Sequence, residues 1–202
     1  MKMKLLLLLL TTSNCNNTPI PEKNKYILGL SSLWILTILR NSLLLDYSLL
    51  SFISILISII SPIFWYSYQL NSIFHKLDKI LVWTIAIINL KYALIKLYIS
   101  ITILLFSLII YFYYLSDFFI IKKNFKYQLI SHLLFRYFFF VWIYLTFYNS
   151  LLQLSLISLG YIIHNYHLIM TINKNNYFLN LSQLLFIICL YIKNDYYIKD
   201  IN

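Results

Sequence analysis

The sequence predicts an all-α protein, a polytopic bundle of about seven membrane-spanning helices with its N-terminus inside. Of the 202 residues, 61% are hydrophobic and only 11% are charged, whereas a soluble domain carries roughly 25% charged residues. The apolar segments are also continuous, and the run from Ile99 to Leu115 presents apolar side chains on every face of a helix. In lipid each backbone N–H and C=O needs a partner inside the protein, which a helix provides. A barrel strand would instead alternate polar and apolar residues.

The chain divides into three predicted parts: an N-terminal arm (1–25), a transmembrane helical domain (26–193) and a C-terminal tail (194–202). The arm begins with lysines and a run of leucines, as a signal peptide does. The leucine run is short and no small-residue cleavage site follows it, which favours an uncleaved arm.

Seven apolar segments are the predicted spans. They cover Tyr26–Leu45, Tyr47–Trp65, Ile80–Ile95, Leu97–Ile121, Gln128–Phe147, Leu151–Met170 and Phe178–Ile192. Lys96 alone separates the third from the fourth, so one long bent helix is the alternative. Seven spans place ten lysines inside and four outside, the asymmetry of the positive-inside rule. Fusing the two segments would lose much of this asymmetry. The net charge of +10 is therefore attributed to the lysines that orient the chain in the membrane, and no nucleic-acid partner is expected.

Several polar or aromatic residues near span ends are expected to contact the membrane interface or partner subunits. Arg40 lies close enough to the end of its span to extend toward the headgroups, and an ion pair with a partner subunit is the alternative. Tryptophan is common at headgroup level, and His132 and Arg136 are expected to hydrogen-bond a neighbouring helix or lipid phosphate. The expected contact residues are Arg40, Asp46, Trp65, Arg136, His164 and His167.

The densest group of ionisable residues runs from Ser72 to Asp78. His75 and Asp78 are three residues apart and share a face if this segment is helical. The predicted topology places His132 at the same end of the bundle. Because histidine and carboxylate side chains are zinc ligands, His75, Asp78 and His132 form a candidate metal site. The simpler interpretation is that these groups pair with neighbouring charges at the hydrated boundary.

The set Ser72, His75 and Asp78, followed by the pair His164 and His167, resembles motifs of the alkaline ceramidase and progestin/adiponectin receptor superfamily of seven-span hydrolases. Both motifs are one residue shorter here, and Arg136 stands four residues after His132, where arginine cannot be a metal ligand. The resemblance implies a zinc-dependent membrane hydrolase. Convergence of the candidate metal ligands in space would favour this hypothesis.

Residue usage suggests a different origin and function. Phe, Tyr, Met, Ile, Asn and Lys, all with AT-rich codons, make up 102 of the 202 residues, whereas Gly, Ala, Arg and Pro make up 9. Membrane helices ordinarily use small residues freely, so AT-rich mutation pressure explains the pattern better than packing does. With two glycines, no glycine-rich phosphate-binding loop is possible.

This composition resembles that of the hydrophobic proteins encoded in ciliate mitochondrial DNA, which serve as respiratory-chain or ATP synthase subunits. The resemblance implies a non-catalytic subunit of a mitochondrial inner-membrane complex. Its expected partners are the other subunits and the lipid bilayer. Bound phospholipid is expected and no cofactor is, with zinc only under the hydrolase hypothesis.

Overall fold

The computed structural model describes residues 20–44, 47–67, 72–147 and 151–171. Of these residues 92% are helical, and no strand occurs among them. The prediction of an all-α protein is therefore confirmed for this part of the chain. The predicted seventh span, the N-terminal arm up to residue 19 and the C-terminal tail lie outside the described residues.

The described residues form seven helices. They are α1 (Glu22–Ser32), α2 (Ile35–Leu44), α3 (Ser48–Ser67), α4 (Ile73–Lys96), α5 (Ile99–Ile121), α6 (Phe125–Phe147) and α7 (Leu151–Thr171). Four helical segments are long and apolar enough to cross a membrane: α1 with α2 as one segment, α3, α5 and α6. A shorter apolar helix lies within α7, over Leu154–Met170. By length and composition these are the helices of a multi-pass membrane protein.

The first predicted span is not one regular helix, because it bends between α1 and α2. Leu33 N–H donates to Leu30 O at 3.1 Å, a tighter turn than in an α-helix. The Ser31 hydroxyl donates to Leu28 O at 3.0 Å, and Arg136 of α6 donates to the same carbonyl. Side-chain donors that compete for helix carbonyls are a recognised cause of bends.

Helix α4 begins seven residues earlier than the predicted start at Ile80. Ser72 caps it, because its hydroxyl accepts a hydrogen bond from His75 N–H at 3.2 Å. The helix ends at Lys96, and Leu97 is extended. The two predicted segments thus form two separate helices and not one long helix, although α4 is not among the four segments that are long and apolar enough to cross a membrane.

Two groups of buried apolar side chains hold the bundle together. The larger lies along α2 to α7. The smaller includes Leu28, Phe64, Trp65 and Leu129, and it marks the end of the bundle where α1, α4 and α6 begin and α3 and α5 end. This end is called the α1-start end below, and the candidate site lies there.

Candidate functional site

A cavity of about 100 Å³ opens at the α1-start end of the bundle. Helices α1 to α6 all contribute to its wall. Most of the wall is apolar or aromatic, and the polar part concentrates on α3 to α6. The polar and ionisable lining residues on these helices are Ser61, His75, Asp78, Lys79, Ser116, Asp117, His132 and Arg136.

Two acidic and two basic side chains line the cavity. Asp78 and Lys79 come from α4, Asp117 from α5 and Arg136 from α6. Asp78 is attracted by Arg136 and Lys79 and accepts a hydrogen bond from the Ser61 hydroxyl, while Asp117 is attracted by Lys79. Buried charges are tolerated where they are paired. This arrangement, here named the charge quartet, is formally neutral.

Arg136 connects α6 to the bend between α1 and α2. The residue is buried, and its Nη1 donates hydrogen bonds to Leu28 O and to the Ser31 hydroxyl. Its guanidinium carbon lies 5.7 Å from the centre of the Trp65 ring, within the range of a cation–π contact. The sequence predicts Trp65 at the membrane interface, and Arg136 in contact with either a neighbouring helix or lipid phosphate. Both lie inside the bundle, because the Arg136 donors are used by carbonyl and hydroxyl groups of α1.

The two histidines of the cavity pack against aromatic rings. The His75 ring stacks on Phe64 at a centroid distance of 4.8 Å, and the His132 ring meets Trp65 edge-on at 4.7 Å. His75 precedes the apolar stretch of α4 that begins at Ile80. Burial first, then the positive charges of Lys79 and Lys76, lower the pKa of His75 to about 4. His75 is therefore neutral near pH 7.

The three candidate metal ligands, His75, Asp78 and His132, do converge on this one cavity. However, no three His, Cys, Asp or Glu side chains within the described ranges lie close enough together to hold a metal ion. His132 Nδ1 is instead 3.4 Å from the Ser116 hydroxyl, and Arg136 places a positive charge beside His132 and Asp78. A neighbouring cation opposes the binding of a second one. The geometry therefore fits ion pairing better than zinc binding.

The remaining predicted contact residues lie away from the cavity. His164 is buried, and its Nδ1 accepts a hydrogen bond of 3.0 Å from Trp34 Nε1. It thus joins α7 to the bend after α1, so the expected contact outside the chain is replaced by one inside it. His167 and Arg40 are partly buried, and neither lines the cavity. Asp46 lies outside the described residues.

Lys79 and Asp117 also line the cavity, although the sequence predicts neither of them as a metal ligand. Asp117 is the one acidic residue within the apolar helix α5, and an ionisable group in such a position is a candidate for function by itself. Lys79 follows Asp78 directly in the sequence. Whether its side chain lines the cavity therefore depends on how α4 packs against α5. Only the packing of α4 against α5 shows that Lys79 attracts Asp117.

No known protein family, curated protein or solved structure matches this chain.

Proposed function

We propose that this chain is a non-catalytic, membrane-embedded subunit of a mitochondrial inner-membrane complex, either a respiratory-chain complex or ATP synthase. The observation that carries the proposal is the charge quartet. Its four ionisable groups are matched with one another in sign and number. The Arg136 side chain also donates hydrogen bonds to Leu28 O and to the Ser31 hydroxyl of α1. A catalytic site would instead need a base or nucleophile presented to a substrate.

The outer surface of the bundle supports the same proposal. Only 28% of the most apolar stretch of α5 is buried inside the chain, and its exposed side chains include Ile103, Leu104 and Phe118. Such a surface requires lipid or another apolar helix against it. The AT-rich residue usage is the reason for proposing the mitochondrial inner membrane and a complex with mitochondrial subunits.

The proposal is tested by isolating the tagged chain from its native membranes with a gentle detergent. The extract is separated on a native gel, and the proteins in the band are identified by mass spectrometry. We expect a band far larger than the 24.3 kDa chain, containing respiratory-chain or ATP synthase subunits. Migration alone or as a small homo-oligomer would contradict the proposal. An unrelated membrane protein, tagged and extracted in the same way, controls for nonspecific association.

The zinc-dependent membrane hydrolase is the second candidate, and the shared cavity of His75, Asp78 and His132 is the observation that favours it. Under this hypothesis these residues would hold zinc and the metal would supply the Lewis acid for hydrolysis, although the three side chains do not lie close enough together for this in the described arrangement. The decisive measurement is the zinc content of the purified chain by elemental analysis. A molar equivalent of zinc that is lost in His75→Gln and in His132→Gln, but kept in His167→Gln, would favour the hydrolase over the subunit.

A further inference from the structure

The turn between α5 and α6 concentrates positive charge on an exposed surface. Its lysines are Lys122, Lys123 and Lys126, and all three are exposed. The Lys122 ammonium lies 5.7 Å from the centre of the Phe118 ring. No acidic side chain in the described parts of the chain forms an ion pair with any of these lysines. Their charges can therefore attract an anion from outside the chain.

Backbone hydrogen bonds fix the conformation of this turn. Lys123 N–H donates to Ile120 O at 3.0 Å, and Asn124 N–H donates to Phe119 O at 2.9 Å. These two bonds form a Schellman motif at the end of α5. Lys123 occupies the left-handed position of the motif, with a φ of 55°. This position normally holds glycine and sometimes asparagine, because a larger side chain is strained there.

Two of the three lysines stand where local structure disfavours them. Asparagine suits the backbone of Lys123 better, has equally AT-rich codons and is no rarer in the chain, with 16 asparagines against 14 lysines. Lys126 lies in the first turn of α6, where the helix dipole opposes positive charge. Local strain of this kind marks candidate functional positions. The property that lysine adds at both positions is its positive charge.

The start of α1 lies against this turn and adds further charge. Asn24 Nδ2 donates a hydrogen bond of 2.7 Å to the carbonyl oxygen of Phe125, the first residue of α6. Lys23 and Lys25 flank Asn24 in the sequence, and Glu22 is the one acidic residue of α1. Lysines thus outnumber acidic residues five to one in what is named here the basic edge, which comprises Lys23, Lys25, Lys122, Lys123 and Lys126.

The basic edge lies at a membrane boundary. The helices α5 and α6 are both long and apolar enough to cross a membrane, as is the segment that begins at Glu22. The turn that joins α5 to α6 therefore falls at one face of the bilayer. Tyr127 is exposed beside the turn, and its ring stacks on Phe119 at a centroid distance of 5.4 Å. Tyrosine is common at headgroup level, where the abundant anions are lipid phosphates.

We propose that the basic edge binds the headgroup of an anionic phospholipid from the bilayer. The exposed ammonium groups of the turn donate hydrogen bonds to the phosphate oxygens, as clustered lysines beside a span do. Ile121 and Ile130 are exposed on the adjoining helices and contact the acyl chains. The site requires no partner subunit and no catalytic step, so it goes beyond the proposed subunit function and does not depend on it.

Native mass spectrometry of the purified full chain in detergent tests this proposal. Phosphatidylglycerol, an anionic lipid, and phosphatidylcholine with the same acyl chains are added separately, and the dissociation constant of the first bound lipid is measured for each. We expect phosphatidylglycerol to bind about tenfold more tightly, because several lysines attract its headgroup together. Raising the ammonium acetate concentration should reduce this preference, because salt screens exposed charges.

A variant that combines Lys122→Gln, Lys123→Asn and Lys126→Gln removes the three charges of the turn. Asparagine accepts the left-handed position, so the turn should keep its conformation. We expect this variant to bind the two lipids with dissociation constants within about twofold of each other. The matched control combines Lys91→Gln with Lys96→Gln, two exposed lysines at the opposite end of α4 from the α1-start end. The control should keep the preference for phosphatidylglycerol.

An equal loss of preference in both variants would show that net charge alone attracts the lipid, and it would overturn the proposed site. An unchanged preference without the three lysines of the turn would overturn it as well. Binding of glycerol phosphate as tightly as the intact lipid would assign the site to a soluble anion instead. Lys126→Gln alone relieves an unfavourable charge at a helix start, so it tests the proposal even if the triple variant fails to fold. It should lower the preference about twofold.

Discussion

Arg136 is the residue whose replacement should most weaken the bundle. Arg136→Met keeps most of the side-chain length but removes the charge, both hydrogen bonds to α1 and the attraction to Asp78. Removing one partner of a buried ion pair costs about 3–5 kcal/mol, because the other charge is left uncompensated. We expect a loss of free energy of unfolding in this range.

A double-mutant cycle separates the electrostatic attraction between Arg136 and Asp78 from the other contacts of Arg136. Asp78→Leu in the Arg136→Met background removes the stranded carboxylate, so the double variant should be less destabilised than the two single changes summed. The coupling free energy between neighbours in one network is about 0.5–3 kcal/mol. Arg40→Met is the matched control, since Arg40 is only partly buried, and we expect it to cost about 1 kcal/mol or less.

The assay is equilibrium unfolding in mixed detergent micelles, with sodium dodecyl sulfate as the denaturant and tryptophan fluorescence as the signal. The chain has four tryptophans, and one of them, Trp65, lies 5.7 Å from the Arg136 guanidinium carbon, so this region contributes to the signal of global unfolding. Equal destabilisation by Arg136→Met and Arg40→Met, or strict additivity with Asp78→Leu, would refute the description of the charge quartet as a coupled unit.

Four further expectations use the same unfolding assay. Ser72→Ala removes the N-cap of α4 and should cost about 1 kcal/mol, whereas Ser72→Asp should restore most of this loss. Gly29→Ala should be neutral or stabilising by about 0.5–1 kcal/mol, because the nearest atom to the added methyl group is 3.8 Å away; a clear loss would mean that α1 packs more tightly than described. Trp34→Phe removes the donor to His164 Nδ1 and should lower the free energy of unfolding by about 1–3 kcal/mol. The double change Trp34→Phe/His164→Phe should recover part of this loss. His75 has a pKa lowered to about 4 in the folded chain, so folding stability should fall as the pH drops from 6.5 toward 4, and His75→Gln should flatten this part of the profile; an unchanged profile would contradict the assigned shift.

The amino-acid pattern predicted which segments are helical better than where the helices begin or bend. The apolar runs of α3, α5 and α6 are long and continuous, and they form the predicted helices. The start of α4 was placed too late because Ser72 to Lys79 is polar, although Ser72 is itself an N-cap residue. The interruption after α1 involves the local Ser31 hydroxyl and a donor from α6. The second contribution is not contained in any local pattern within residues 26–45.

The candidate site was partly predictable for a similar reason. His75 and Asp78 share a face of one helix, so their spacing predicted that they act together. His132 was assigned to the same end from topology alone, and the structure brings it to the same cavity. The sequence predicts Trp65 at the membrane interface and leaves Arg136 between a neighbouring helix and lipid phosphate, because the position of a residue along a span does not determine which way it faces. The electrostatic attractions of Lys79 to Asp117 and of Arg136 to Asp78 depend on which helices pack together.

The central claim is that the chain acts as a subunit and not as an enzyme. The most direct measurement compares the wild-type chain with His75→Gln for assembly on a native gel and for hydrolysis of lipid amide substrates by the isolated material. The account predicts the same amount of the large complex for both chains and no hydrolysis that depends on His75. A His75→Gln chain that assembles normally but loses a hydrolytic activity present in the wild type would contradict it.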